Sequence, residues 1–276
     1  MSIKKGKILE KKNAIVLIII IAMVSVLFLY KSPMDVEAFA NPVEIETDTG
    51  VFAPAEIEDG INKGYFYFYT GDGYDGEWYE KDFSGKGKYD FSDLGQYDGE
   101  FKEGLRSGHG VFKWDSGEIY EGEWYNDKLN GTGTYTSGKQ IKATGTFKDN
   151  RLYSGKVIYT ENNSVYTFSV SYGNLLSKAV VKYKNGDKYT GGFDAGKRSG
   201  TGTYTWENGA YYKGKWKNDK LNGQGTYYYK KTSKGKYLKG KFTANKPTGT
   251  LTYKTRAGKT YKTTWSNGKC KKVKKG

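Results

Sequence analysis

The sequence contains one cysteine, one histidine, three methionines and four prolines. A single thiol, Cys270, excludes an internal disulfide and a cysteine-rich metal centre, and the lone imidazole of His109 excludes a histidine cluster for zinc. Neither a G-x-S-x-G elbow nor a complete G-x-x-x-x-G-K-[ST] phosphate loop occurs; Gly258-Lys259-Thr260 has Tyr253 where the leading glycine would stand. Gly71-x-Gly73-x-x-Gly76 spells a nucleotide-binding glycine loop, but no helix pattern comes after it to present amides to a phosphate. Aliphatic runs are scarce beyond residue 30, so the thick core of most enzymes is missing as well. We therefore expect a non-enzyme with no catalytic residue, no metal and no cofactor. What is abundant is 38 Gly, 26 Tyr, 13 Phe and 6 Trp in 276 residues, a composition for thin, turn-rich β structure.

The first thirty residues differ from the rest. Lys4, Lys5, Lys7, Lys11 and Lys12 precede an uncharged run from Ala14 to Tyr30. At 1.5 Å per residue such a run spans roughly 25 Å, near the short end of a bilayer crossing. The positive-inside rule expects 1–13 in the cytoplasm, 14–30 as a transmembrane helix acting as signal anchor, and the remainder outside the cell membrane. Residues 31–60 hold eight acids, one lysine and three of the four prolines, and read as an acidic extended linker. The alternative is cleavage after Ala40, because Ala38-Phe39-Ala40 has the small-x-small form, and the product would be secreted. Both readings export residues 41–276 to an oxidising compartment, in keeping with the near absence of cysteine.

Self-comparison organises the chain beyond residue 60. Tyr-x-Gly-x-aromatic recurs as Tyr74-Gly76-Trp78, Tyr97-Gly99-Phe101, Tyr120-Gly122-Trp124, Tyr189-Gly191-Phe193 and Tyr212-Gly214-Trp216, at steps of 23 residues or a multiple. Ala143-Gly145-Phe147 and Tyr166-Phe168-Val170 are worn copies, and the pattern continues at Leu238-Gly240-Phe242 and Tyr261-Thr263-Trp265. Eleven residues after each start comes Gly-x-Gly-x-aromatic, as in Gly85-Gly87-Tyr89, Gly108-Gly110-Phe112 and Gly223-Gly225-Tyr227. Gly64-x-Phe66 looks like the second half of a truncated leading copy. The array covers 61–268 with eight full units and a half-unit at each end, and a Lys-rich tail occupies 269–276.

Each unit reads as one β-hairpin, with turns at Asn126–Asn130 and Asn218–Asn222 and return turns at Ser116-Gly117, Asn185-Gly186 and Asn208-Gly209. Strand alternation puts Tyr74, Gly76 and Trp78 on one face and Asp75 and Glu77 on the other. Glycine weakens a strand. Here it leaves a gap over which the ring of a neighbouring strand can lie. The expected fold is all-β, an elongated twisted ribbon of tandem hairpins. Roughly seventeen strands would give a length on the order of 80 Å.

This unit resembles the MORN repeat, and the chain as a whole resembles a bacterial, membrane-anchored MORN protein. Choline-binding repeats share the glycine and aromatic richness but have shorter spacing and differently paired tryptophans. The resemblance implies a scaffold that associates with membranes, with other proteins or with itself. Some plant phosphoinositide kinases carry MORN repeats beside a catalytic domain, but no residues remain here for one.

Charge is segregated along the array. Residues 31–130 carry 23 acids and nine bases, whereas residues 131–276 carry six acids and 31 bases. The variable positions of Tyr-x-Gly-x-aromatic change from Asp75/Glu77, Asp98/Glu100 and Glu121/Glu123, through threonines, to Lys213/Lys215, Lys239/Lys241 and Lys262/Thr264. All are expected on one face. Interspersed charges would suffice for solubility. Segregated ones suggest an anionic partner for Lys213, Lys215, Lys239, Lys241, Lys262, Lys271 and Lys272. The expected function is a scaffold for a protein partner or for self-association. The alternative is a tether gripping anionic lipid headgroups or an anionic cell-wall polymer; nucleic acid is disfavoured by the exported location.

Overall fold

The computed structural model describes residues 45–47, 50–58, 61–79 and 82–276, with side chains from Lys63 onward. The apolar run 14–30 and the Ala38–Ala40 site lie outside the described residues. Those described form 22 strands and no helix, so none of their helices could cross a membrane. Two compact units divide them, one holding 45–157 with 170–174 and the other 158–169 with 175–276. The division falls among the worn copies.

In the first unit consecutive strands pair antiparallel as a meander from Gly50–Glu58 to Ile141–Lys148. Gly64 pairs with Gly76 and Phe66 with Tyr74, as expected of a leading half-copy. Gly50–Glu58, inside the segment read as linker, is a strand on Ile61–Phe68. The second unit runs in the same way from Lys188–Asp194 to Lys269–Lys275. Its last strand is the segment read as a tail. Lys274 pairs with Lys262 and Val273 with Thr263, so the ladder extends one strand past the recognisable motif.

The repeated tyrosine is the centre of each hairpin. Tyr74, Tyr97, Tyr120, Tyr189 and Tyr212 are fully buried. Each donates its hydroxyl hydrogen to the carbonyl three residues on, at 2.7 Å for Tyr74 and 3.0 Å for Tyr97. To do so the ring folds over the glycine of its own strand and the glycine opposite. A Cβ on Gly76 would lie 2.5 Å from both Gly87 Cα and the Tyr74 hydroxyl. The notch is therefore filled by a ring from the same strand, which also covers the neighbour. Trp124 and Phe147 meet the Tyr120 ring edge-on at 5.5 and 5.1 Å, linking one repeat to the next.

The other glycine of Gly-x-Gly serves the opposite face. At Gly85, φ is +75° and a Cβ would strike the Glu77 carboxylate, whose Oε2 accepts a hydrogen bond from Lys86 N at 3.1 Å. The outward acid of one strand thus lies along the next.

Adjacent hairpins are stitched at their tight turns. Only Asn126 and Asp127 form the loop there, both with positive φ (46° and 63°), and Lys128–Asn130, read as part of the turn, already belong to the next strand. Two left-handed residues match the right-handed twist of the strands they join. Asp127 N donates to Arg106 O at 3.0 Å, and Asp127 Oδ1 accepts from Arg106 N at 3.0 Å and Nε at 2.8 Å. Elsewhere the same position pairs Leu129 N with Asn150 Oδ1 at 2.8 Å, and Leu221 N with Asn245 Oδ1 at 2.7 Å. Arg198 and Asp219 repeat the charged version in the second unit.

Buried phenols make the fold resistant to base up to a limit. Burial raises Tyr135 and Tyr212 from 10 to about 12, with Glu118 adding to the shift at Tyr135 and the Lys215 carbonyl opposing it at Tyr212. The unfolded chain releases these protons near pH 10, the folded chain only near 12. Their contribution is intact below pH 10 and is lost as pH rises through 12. Each costs about 1.4 kcal/mol per pH unit in that window. In a spectroscopic titration at 295 nm these phenols should ionise together with loss of β structure. Ionisation of all tyrosines near pH 10 with the sheet intact would contradict the packing.

Candidate functional site

In the second unit register shifts fall at Gly214/Trp216, Gly235/Tyr237 and Thr264/Trp265, and between them exposed side chains line up in rows across the strands. One row reads Lys213, Thr226, Lys239, Thr252, Lys262 and Lys274, each opposite the next. Beside it, Thr201 faces Lys215, Gln224 faces Lys241 and Thr264 faces Lys272. On the other flank Tyr211, Tyr228 and Tyr237 stand opposite one another, the first two rings stacked at 4.3 Å and 12°. Lys213, Lys215, Lys239, Lys241, Lys262, Lys272 and Lys274 are exposed, and among the described residues no carboxylate pairs with any of them. Among the expected residues, Lys271 stands apart. It falls in a bulge between Cys270, opposite Trp265, and Lys272, opposite Thr264, and has no place in the row. Lys274 takes the position across from Lys262.

The corresponding face of the first unit is mixed. Asp75 lies opposite Lys88, Glu100 opposite Lys86, and Lys63 Nζ is 3.7 Å from Glu77. Its acids are partly engaged within the sheet, whereas the seven lysines of the rows in the second unit face threonine, glutamine or another lysine.

The aromatic face of the second unit is open as well. A groove of about 540 Å³ is lined by Trp206, Trp216, Tyr227, Tyr229, Phe242 and Trp265, together with Arg198 and Asp219. Trp206 meets Tyr227 at 5.3 Å, and Tyr229 meets Tyr253 at 5.9 Å. Arg198 Cζ lies 4.7 Å from the Trp216 ring centroid, a cation over a π face. Trp216 and Phe242 are buried and form the floor of the groove, while Trp206, Tyr227, Tyr229 and Trp265 are half-buried and suit a partner that brings both apolar and hydrogen-bonding groups. The motif analysis missed this groove. An extra aromatic two residues after Gly-x-Gly-x-aromatic, Trp206 after Tyr204 and Tyr229 after Tyr227, helps line it, but Phe91 and Trp114 hold the same place in the first unit, so the motif alone does not mark the groove. His109 is exposed, and its backbone N–H donates to Glu100 Oε1 at 3.3 Å.

No curated protein matches the chain. Among solved structures it is similar to the SAS-4 (dCPAP) TCP domain of Drosophila melanogaster, solved in complex with a proline-rich motif of Ana2 (dSTIL). Identity is 13% and the TM-score 0.26, over 59% of this chain and 82% of that one. The model of the MORN repeat matches residues 74–96, 97–119, 120–140, 189–211 and 212–234. The first three segments begin at Tyr74, Tyr97 and Tyr120 and the last two at Tyr189 and Tyr212, the same tyrosines whose rings close over paired glycines. The hairpins built on those five tyrosines match the MORN repeat.

Proposed function

We propose that this chain is a non-enzymatic repeat scaffold that engages a protein partner or a second copy of itself, anchored in the cell membrane through residues 14–30 with the repeats outside. The observation that carries the reading is the open aromatic groove beside the Tyr189 and Tyr212 repeats. Tandem MORN repeats suggest such a scaffold, and large rings left half-exposed in a groove are where interface energy concentrates. The anchor rests on the uncharged stretch 14–30 and the lysines before it. A second reading, a tether to an anionic lipid or wall polymer, is favoured by the lysine rows, which no carboxylate of the described residues neutralises.

Cross-linking of intact cells with a membrane-impermeant reagent tests location and groove together. Adducts should form on intact cells and fall several-fold with Tyr229→Ala/Trp265→Ala, two half-exposed rings of the groove. Adducts only after lysis would refute the orientation. Adducts indifferent to both substitutions would refute the groove as the contact.

A further inference from the structure

We infer that the lysine-bearing face of the second unit binds an extended acidic polysaccharide carrying one negative group on every second sugar, an inference that rests on the tether reading. The first ground is spacing. Lys213, Lys239 and Lys262 sit on alternate strands, with Thr226 and Thr252 between them. Two strand separations amount to about 9.6 Å. An extended chain of pyranose rings advances by a similar distance per disaccharide, so a negative group on alternate sugars would meet one lysine after another. Polyphosphate and bilayer headgroups present charge at closer intervals and have no use for the gaps.

The second ground is what fills those gaps. Thr226 and Thr252 offer hydroxyls that both donate and accept, suited to the hydroxyls of an intervening neutral sugar. In the neighbouring row Gln224 stands directly opposite Lys241, and Lys215, at a bulge on the Gln224 side, faces Thr201 on its other side. No acid stands in either row to repel the polymer. The third ground is the flank. Tyr211, Tyr228 and Tyr237 form an amphipathic aromatic row beside the charges, with ring centroids 4.3 and 6.0 Å apart. Tyr211 and Tyr228 cover one face of each other, so the row offers ring edges and hydroxyls to the polar rim of a sugar. Charge, hydroxyl and ring therefore run in parallel across successive strands, as a linear polymer would need.

The full-length chain on a sensor surface should be probed with hyaluronan, inorganic polyphosphate, neutral dextran and phosphatidylglycerol vesicles. Hyaluronan should bind in a salt-sensitive way and dextran should not. Lys213→Ala/Lys239→Ala/Lys262→Ala should weaken hyaluronan about tenfold or more, because three exposed charges that meet the polymer are lost together. The same charge change in the loop, Lys230→Ala/Lys231→Ala/Lys234→Ala, should leave it nearly unchanged. Thr226→Val/Thr252→Val should weaken hyaluronan several-fold and leave polyphosphate alone. If polyphosphate or vesicles bind more tightly than hyaluronan and the threonine pair has no effect, the polysaccharide assignment fails and the tether reading stands. If none of the anionic probes binds, both fail. Equal losses from the row and loop triples would overturn the assignment of this face.

Discussion

Asp127→Ala is expected to destabilise the first unit by about 3–5 kcal/mol, because it strands a buried guanidinium. Arg106 and Asp127 have side chains only 7% and 0% exposed and lie 2.8 Å apart. The guanidinium carbon sits 4.8 Å from the Trp124 centroid and 5.5 Å from those of Phe91 and Phe112, so no water route replaces the lost carboxylate. The chain itself supplies the rescue. Where the residue two before Gly-x-Gly is leucine, the partner in the turn is asparagine, as at Leu129 with Asn150 and Leu221 with Asn245. Arg106→Leu/Asp127→Asn should therefore recover most of the loss, and removal of a buried ion pair in favour of apolar packing often stabilises outright. Urea unfolding monitored by tryptophan fluorescence measures both. A double variant no better than Asp127→Ala would show that the pair is not interchangeable with its neutral counterpart.

The second large effect concerns the glycine notch. Gly99→Ala should cost about 3 kcal/mol, the upper end of overpacking. Its Cβ would fall 2.5 Å from Gly110 Cα and 2.6 Å from the Tyr97 hydroxyl, and neither can retreat. The backbone is fixed by the ladder between the two strands, and the hydroxyl is held by Glu100 O at 3.0 Å. Gly117→Ala isolates the other reason for a glycine. Its φ is +95° and nothing lies within 4 Å of the added carbon, so only the backbone conformation resists. That costs about 1–2 kcal/mol. Thermal melts of the two variants should differ clearly. Equal shifts would mean that the strand glycines are retained for backbone freedom and not to receive a ring.

The spacing of Tyr74, Gly76 and Trp78 was enough to place the hairpin strands and the inward face, because strand alternation is a local property. It also placed Lys213, Lys239 and Lys262 outward in equivalent positions. Arg106 defeated this logic. A charged residue two before Gly-x-Gly reads as a surface residue, and its burial became visible only when the turn 21 residues later brought Asp127 beneath it. Lys271, expected to meet the same anionic partner, lies in a bulge against Trp265 and so outside the row that Lys262 and Lys274 share.

Sequence by itself determined the period, the hairpin and the sign of charge on each stretch. Tertiary structure decided which lysines share a row, which turn seals which hairpin, and where the aromatic face stays open beside Trp265. Local patterning can specify a strand and its two faces. Which side chains meet depends on register between strands, and register depends on bulges and turn contacts made with residues distant in the chain.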